Sequence, residues 1–216
     1  MGTKPDDRYK ALIISCYRGV SEEVLRNHKK VIEKFKPKVC TYYQAMMSYY
    51  HGTSINNVIE ECFDEFDVFI ILDVDCIPIS RRSFPFLLDN ARAGYLVGCA
   101  QRANHIKNKG HIYISPFCMA FSKELYKQLG KPSFMNTSRG DTGEELTYRC
   151  EKKKKKTKFM WPTDVIEPLW DLKGSIKFGI GTTYDRMFYH QFGAREECKK
   201  YEKEFIRRCK IVLGQK

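Results

Sequence analysis

The sequence predicts an α/β domain with a mostly parallel central sheet flanked by helices, and three observations carry that expectation. Ala11–Cys16 (ALIISC) is a short apolar, β-branched run of the kind that forms a buried strand. A helical stripe and a second strand follow it directly. That strand–helix–strand order implies a parallel pair joined by a crossover helix. Val68–Leu72 (VFIIL) then gives the strongest strand signal in the chain, and an amphipathic stripe precedes it.

The elements follow in order. After Tyr17-Arg18-Gly19, Ser21 can cap a helix whose first turn carries Glu22 and Glu23 and whose apolar face is Val24, Leu25, His28, Val31, Ile32 and Phe35. Pro37 stops it, and Lys38–Tyr43 reads as the next strand. Val58, Ile59, Cys62, Phe63 and Phe66 mark a second helix. Phe84–Arg92 reads as a helix, Tyr95–Cys99 and Ile112–Phe121 as strands. Ser122 opens a helix that Gly130 ends. Thr142 to about Lys155 is a further helix, with Thr142-x-x-Glu145 fitting a capping box. Phe159–Trp161 is a short strand. The Gly-rich stretch Gly174–Thr183 reads as a mobile loop, and Cys198, Tyr201, Phe205, Ile206 and Cys209 form a last helical stripe. No repeat or Pro- or Ser-rich linker divides the chain. One domain is expected over 1–216, with a first half to about residue 100 and an irregular second half.

At 216 residues, 43% hydrophobic and 13% aromatic, the chain can bury one substantial core. No apolar run approaches the roughly 20 residues that span a bilayer, so no membrane span is expected. Met1–Lys10 is polar and charged, unlike a secretory leader, which points to the cytoplasm. The nine cysteines are scattered singly without a Cys-x-x-Cys pair, as core thiols of a reducing compartment are. The net charge of +12 comes largely from Lys152–Lys156 and from Lys199–Lys210. The lysine run has no interleaved aromatics, so it reads as a solvated helix end, and no nucleic acid is expected as partner.

Asp73 and Asp75 follow the apolar strand directly. Ligands of open parallel sheets bind outside the carboxyl ends of strands, and a hard cation takes oxygen ligands that it shares with substrate phosphates. The alternative is an Asp that caps a turn near Pro78.

FIILDVDCIPIS resembles the Asp-x-Asp strand of the GT-A fold glycosyltransferases. IYISPFCMAFSKELYKQLG, DTGEELTYRC and FYHQFGAR resemble, in the same order, the acceptor-side entry, the acidic segment and the C-terminal His segment of those enzymes. There is a fainter resemblance to the glycosyltransferase domains of large algal DNA viruses, which would place the protein in host cytoplasm. The resemblance implies a Rossmann-like half that binds a nucleotide-sugar (a UDP-sugar favoured) and a second half that binds a glycan or glycoprotein acceptor. It implies Mn²⁺ or Mg²⁺ on the diphosphate, held by Asp73, Asp75 and His190, with Asp73 on the ribose as the alternative. Ser15, Cys16, Tyr17, Arg18, Val74 and Arg102 are then expected on the donor, Tyr17 stacking on the base and Arg18 reaching phosphate. Asn104 and His105, after the same strand as Arg102, are expected near donor or acceptor. Asp141 is the candidate general base, with Glu144 and Glu145 competing and a plain capping role for Asp141 as the alternative. The segment departs from the commoner Glu-Asp pair of the family, which leaves that assignment open. The Gly-rich loop, with Lys177 and Arg186, is expected to close over the diphosphate, and Trp161 and Trp170 to face an acceptor sugar. Two other classes compete: a Mg²⁺-dependent phosphatase of the haloacid dehalogenase type, with Asp73 as nucleophile, and a basic nucleic-acid-binding protein.

Overall fold

The computed structural model describes residues 9–47, 50–103, 106, 108–194 and 198–215. Asn104 and His105 lie outside the described residues.

The central sheet has six strands in the order β2-β1-β3-β6-β5-β7. Strand β1 (Ala11–Tyr17), helix α1 (Glu22–Phe35) and strand β2 (Cys40–Met46) form the expected crossover unit, and helix α2 (His51–Glu61) leads to β3 (Val68–Leu72). β1 runs parallel to both β2 and β3. Beyond helix α3 (Ser83–Arg92), β5 (Leu96–Arg102) runs parallel to β7 (Thr157–Met160), and β6 (Ile112–Ser122) lies antiparallel between β3 and β5. The sheet is therefore mixed and mostly parallel.

All five residues of β3 are buried because the sheet is covered on both faces. Val68, Ile70 and Leu72 join the core under α1 and α3, which also takes Ile32, Phe84, Leu87 and Leu88. Phe69 and Ile71 join the core under α2, α4 (Lys123–Gln128) and α5 (Glu144–Lys152), with Ile55, Val58, Leu125 and Leu146. Each such side chain contributes about 1.5–3 kcal/mol by leaving water.

The second half, for which the sequence offers no clear period, is organised around a four-stranded antiparallel sheet. It contains β4 (Cys76–Pro78), β8 (Pro162–Lys173), β9 (Ile176–Tyr184) and β10 (Phe188–His190), in the order β4-β10-β9-β8. The Gly-rich stretch read as a loop is the turn and strand of the β8–β9 hairpin. A Cβ at Gly179 would lie 2.2 Å from the Glu167 carbonyl oxygen, and Gly181 has φ +69°. The glycines admit close backbone approach in a strand pair with repeated register shifts, and Lys177 reaches Asp171 across the hairpin at 3.4 Å. Helix α6 (Lys199–Leu213) packs Phe205, Ile206 and Cys209 against Val24 and Val31 of α1.

Helix α5 starts two residues later than its sequence suggests, after Gly143 at φ +72°. The capping box is displaced as well. Glu145 pairs with Arg139 and Arg149, and Glu144 Oε2 accepts from the Asp141 amide. The lysines 152–154 are exposed at the end of α5, where cations suit the helix dipole. All nine cysteines are unpaired, seven of them buried. Among the described residues, no helix is long and apolar enough to cross a membrane.

Candidate functional site

The two sheets meet where the chain leaves β3. Asp73 N donates to Phe117 O of β6 at 3.0 Å, and Cys76 N closes a turn onto Asp73 O at 2.9 Å. Cys76 then enters the other sheet opposite His190, and Gln191 N donates to Asp75 O at 2.9 Å. Within four residues the chain has changed sheets, and both carboxylates stand at the seam. After β10, Phe192 and Gly193 take positive φ values of +61° and +78°. This turn brings Ala194 N within 3.3 Å of Asp75 Oδ2.

Asp73, Asp75 and His190 each offer a ligand atom within 4.8 Å of the other two. His190 Nε2 lies 3.2 Å from Asp75 Oδ1, and its ring stacks on Phe117 with centroids 4.0 Å apart. Asp73 Oδ1 and His190 Nδ1 are buried without a hydrogen-bond partner among the described residues. Two carboxylates and one imidazole, one carboxylate oxygen buried without a hydrogen bond and met at ion-pair distance by His51 Nε2 among the described residues, suit a hard or borderline divalent cation such as Mg²⁺ or Mn²⁺.

These groups floor a cleft of about 290 Å³. Cys16, Tyr17, Arg18 and Val74 line it, as do Gln101, Ser115 and Asp141, which form its wall. The Cys16 thiol is pushed up to about 12 by burial and by the charge of Asp73, so it is a neutral wall and not a nucleophile. Ser15 is turned away, its hydroxyl donating to Leu72 O at 2.6 Å and tying β1 to β3.

Behind the seam, His28 is fully buried between Tyr42 OH at 2.8 Å and Cys76 O at 3.0 Å. Burial lowers its pKa to about 4, against the pull of Asp75 and Asp73. A carbonyl only accepts, so Nε2 carries the proton and Nδ1 accepts from the tyrosine.

Asp141 is held differently. Its Oδ2 accepts from Tyr113 OH at 3.2 Å and its Oδ1 from Thr142 N at 2.7 Å. Burial, then the charges of Asp141 and Glu144, raise the Tyr113 phenol well above its ordinary value, so it stays a donor. Glu144 has no exposed surface and does not line the cleft. Its Oε2 accepts from Asp141 N at 2.8 Å, and its Oε1 accepts from Asn108 Nδ2 at 2.7 Å and meets His111 Nδ1 at 2.6 Å.

Arg102 and Trp170 line a neighbouring groove with Ala103, Gly110 and Phe178. Trp170 packs on Phe192 of the main cleft with ring centroids 4.9 Å apart, so the two hollows adjoin. Trp161 packs on Phe159 under Lys173, away from the cleft. Among the cleft residues with no counterpart in the sequence expectations are two polar ones, Gln101, near the end of β5, and His51, at the start of α2. A positional signal existed for His51. It follows β2, and the carboxyl ends of the parallel strands β1, β2 and β3 open on one side of the sheet.

No family model and no curated protein sequence matches the chain. Among solved structures, the fold is similar to the catalytic domain of Drosophila β1,4-galactosyltransferase 7 in complex with xylobiose. The TM-score is 0.54 at 14% identity, over 91% of this chain and 79% of that one. A mutant of the same enzyme, in complex with manganese, UDP-Gal and xylobiose, gives a TM-score of 0.52 at 16% identity over 92% and 79% of the two chains. At such identities the likeness is one of fold, and it agrees with a Rossmann-like α/β architecture of GT-A type.

Proposed function

We propose that the protein is a glycosyltransferase that moves a sugar from a nucleoside-diphosphate sugar, a UDP-sugar favoured, to a hydroxyl of a glycan or glycoprotein. The observation that carries this reading is the convergence of Asp73, Asp75 and His190 in a cleft that Asp141 also lines. The similar fold of an enzyme solved with manganese, UDP-Gal and xylobiose supports it.

In this reading Asp75 and His190, with Asp73, hold Mn²⁺ or Mg²⁺, which supplies positive charge to the leaving diphosphate. Tyr17 and Arg18, at the end of β1, receive the nucleoside and its phosphates. Asp141 takes the proton of the attacking acceptor hydroxyl, an arrangement suited to direct displacement at the anomeric carbon. Glu144 serves the chemistry only by holding the Asp141 backbone. Trp170 and Arg102, in the adjoining groove, suit the acceptor better than the donor. A phosphatase of the haloacid dehalogenase type gains no support, because the third group at the aspartate pair is the imidazole of His190.

Calorimetric titration of UDP and GDP, each with and without Mn²⁺, tests the reading in the wild type and in Asp75→Asn. Metal-dependent binding is expected in the wild type. Its loss by about a hundredfold or more is expected in the variant, because a direct ligand should matter at least as much as an outer contact, whose loss costs about 10–100-fold in metal affinity. Nucleotide binding that ignores both the metal and the substitution would overturn the site.

A further inference from the structure

We propose that His51 is a positioning residue for the cation site, holding the orientation of the Asp73 carboxylate through its contact with Oδ1. The proposal rests on the reading of Asp73, Asp75 and His190 as ligands.

His51 is the first residue of α2 and lines the cleft. Its Nε2 stands 3.2 Å from Asp73 Oδ1, the buried oxygen that no hydrogen bond reaches among the described residues. The start of α2 cannot drift. At Gly52 a Cβ would lie 2.5 Å from the Phe134 carbonyl oxygen, so the helix backbone is pressed directly on the chain before α5. Thr53 Oγ1 reaches Met135 Sδ at 3.0 Å in the same contact, and Asn56 Oδ1 accepts from Phe134 N at 2.9 Å. An imidazole carried on so fixed a backbone restricts the Asp73 carboxylate more than solvent would.

Two roles compete for His51, and geometry separates them. Ligands of one Mg²⁺ lie at bonds of about 2.1 Å, so two of them stand no more than roughly 4.2 Å apart. Among the described residues the set that meets mutually within 4.8 Å is Asp73, Asp75 and His190, and it does not extend to His51. His51 thus touches one ligand without joining the shell. Carboxylates that bind metals are themselves held by such outer contacts, and losing one costs about 10–100-fold in metal affinity.

The test measures Mn²⁺ affinity, alone and with inorganic pyrophosphate, together with the thermal midpoint, in wild type, His51→Ala, His51→Gln and Asp75→Asn. The alanine variant should bind Mn²⁺ about 10–100-fold more weakly at an unchanged midpoint. The glutamine variant, whose amide can donate to the same oxygen, should recover most of that loss. Wild-type affinity in His51→Ala would overturn the proposal, and so would an equal loss in the alanine and glutamine variants. If wild type and Asp75→Asn bind Mn²⁺ alike, the ligand reading falls, and the role of His51 with it.

Discussion

Asp75 and Asp141 line the same cleft, yet they are held there by different means. Asp75 sits at the seam of two sheets, and backbone fixes it: Gln191 N on its carbonyl, Ala194 N on its side chain, and Cys76 paired with His190 immediately after it. Asp141 stands on a loop before α5, and side chains hold it. Tyr113 donates to its carboxylate, while Glu144 takes its amide and is itself gripped by Asn108 and His111. The floor of the cleft is thus held by the sheets, and the wall depends on a buried polar network of side chains. A polar network of this kind holds geometry well when complete and fails sharply when one member is lost.

The largest effect that separates the two carboxylates comes from Asp141→Asn. If the floor binds and the wall reacts, kcat should fall by about 10²–10⁴, the usual worth of a general base, while metal-dependent nucleotide affinity stays at the wild-type value. Steady-state kinetics paired with calorimetry checks this. A parallel loss of nucleotide affinity would place Asp141 in donor binding and erase the distinction between floor and wall.

The same contrast explains how much was legible in the sequence. Val68–Leu72 and the crossover unit before it are continuous apolar or helical patterns, and burial on two faces of a sheet writes that signature directly. Asp73 and Asp75 were readable because they terminate such a strand. The second sheet left a fainter trace. β8 alternates irregularly, with Ile166 and Leu169 exposed, and β4 and β10 are only three residues each. The glycines of β9 imitate a loop because close backbone approach selects the residue a turn would select. The contact of His51 with Asp73, and those of Glu144 with Asn108 and His111, were invisible for another reason: they arise between elements distant in the chain. Thr142-x-x-Glu145 fitted a capping pattern, but Gly143 moved the helix start and gave the inward position to Glu144.

A smaller effect probes the wall alone. In Glu144→Gln the shape is kept, but either amide orientation turns an N–H toward one of the donors now satisfied by carboxylate oxygens. Leaving a buried donor unmatched costs about 1–3 kcal/mol. Chemical denaturation should report that loss, and kcat should fall with nucleotide affinity unchanged. A variant as stable and active as wild type would show that the Asp141 loop is held by the chain around Gly143 and not by the carboxylate.

The smallest effect is a pH dependence confined to the wall. Burial works against the charge on His111, but its contacts with Glu144 and Glu151 outweigh that and raise its pKa above the ordinary value. Tyr148 stacks on its ring at 3.9 Å, and Asn108 shares the same Glu144 oxygen. For a base whose folded pKa is raised, the folded state binds the extra proton. Its contribution to stability is therefore complete below the unfolded value of about 6.5 and is lost as pH rises through the folded pKa. Thermal midpoints measured upward from about pH 6 should drift down in the wild type, and His111→Gln should lack that component of the drift. Behind the floor, His28, with its pKa lowered to about 4, stays neutral across this range and adds nothing to the drift. Ion binding competes with protons for its ligands, so metal-dependent nucleotide affinity should not fall as pH rises through the window where the midpoint declines. If affinity and midpoint decline together, the floor and the wall are one mechanical unit, and the division between them fails.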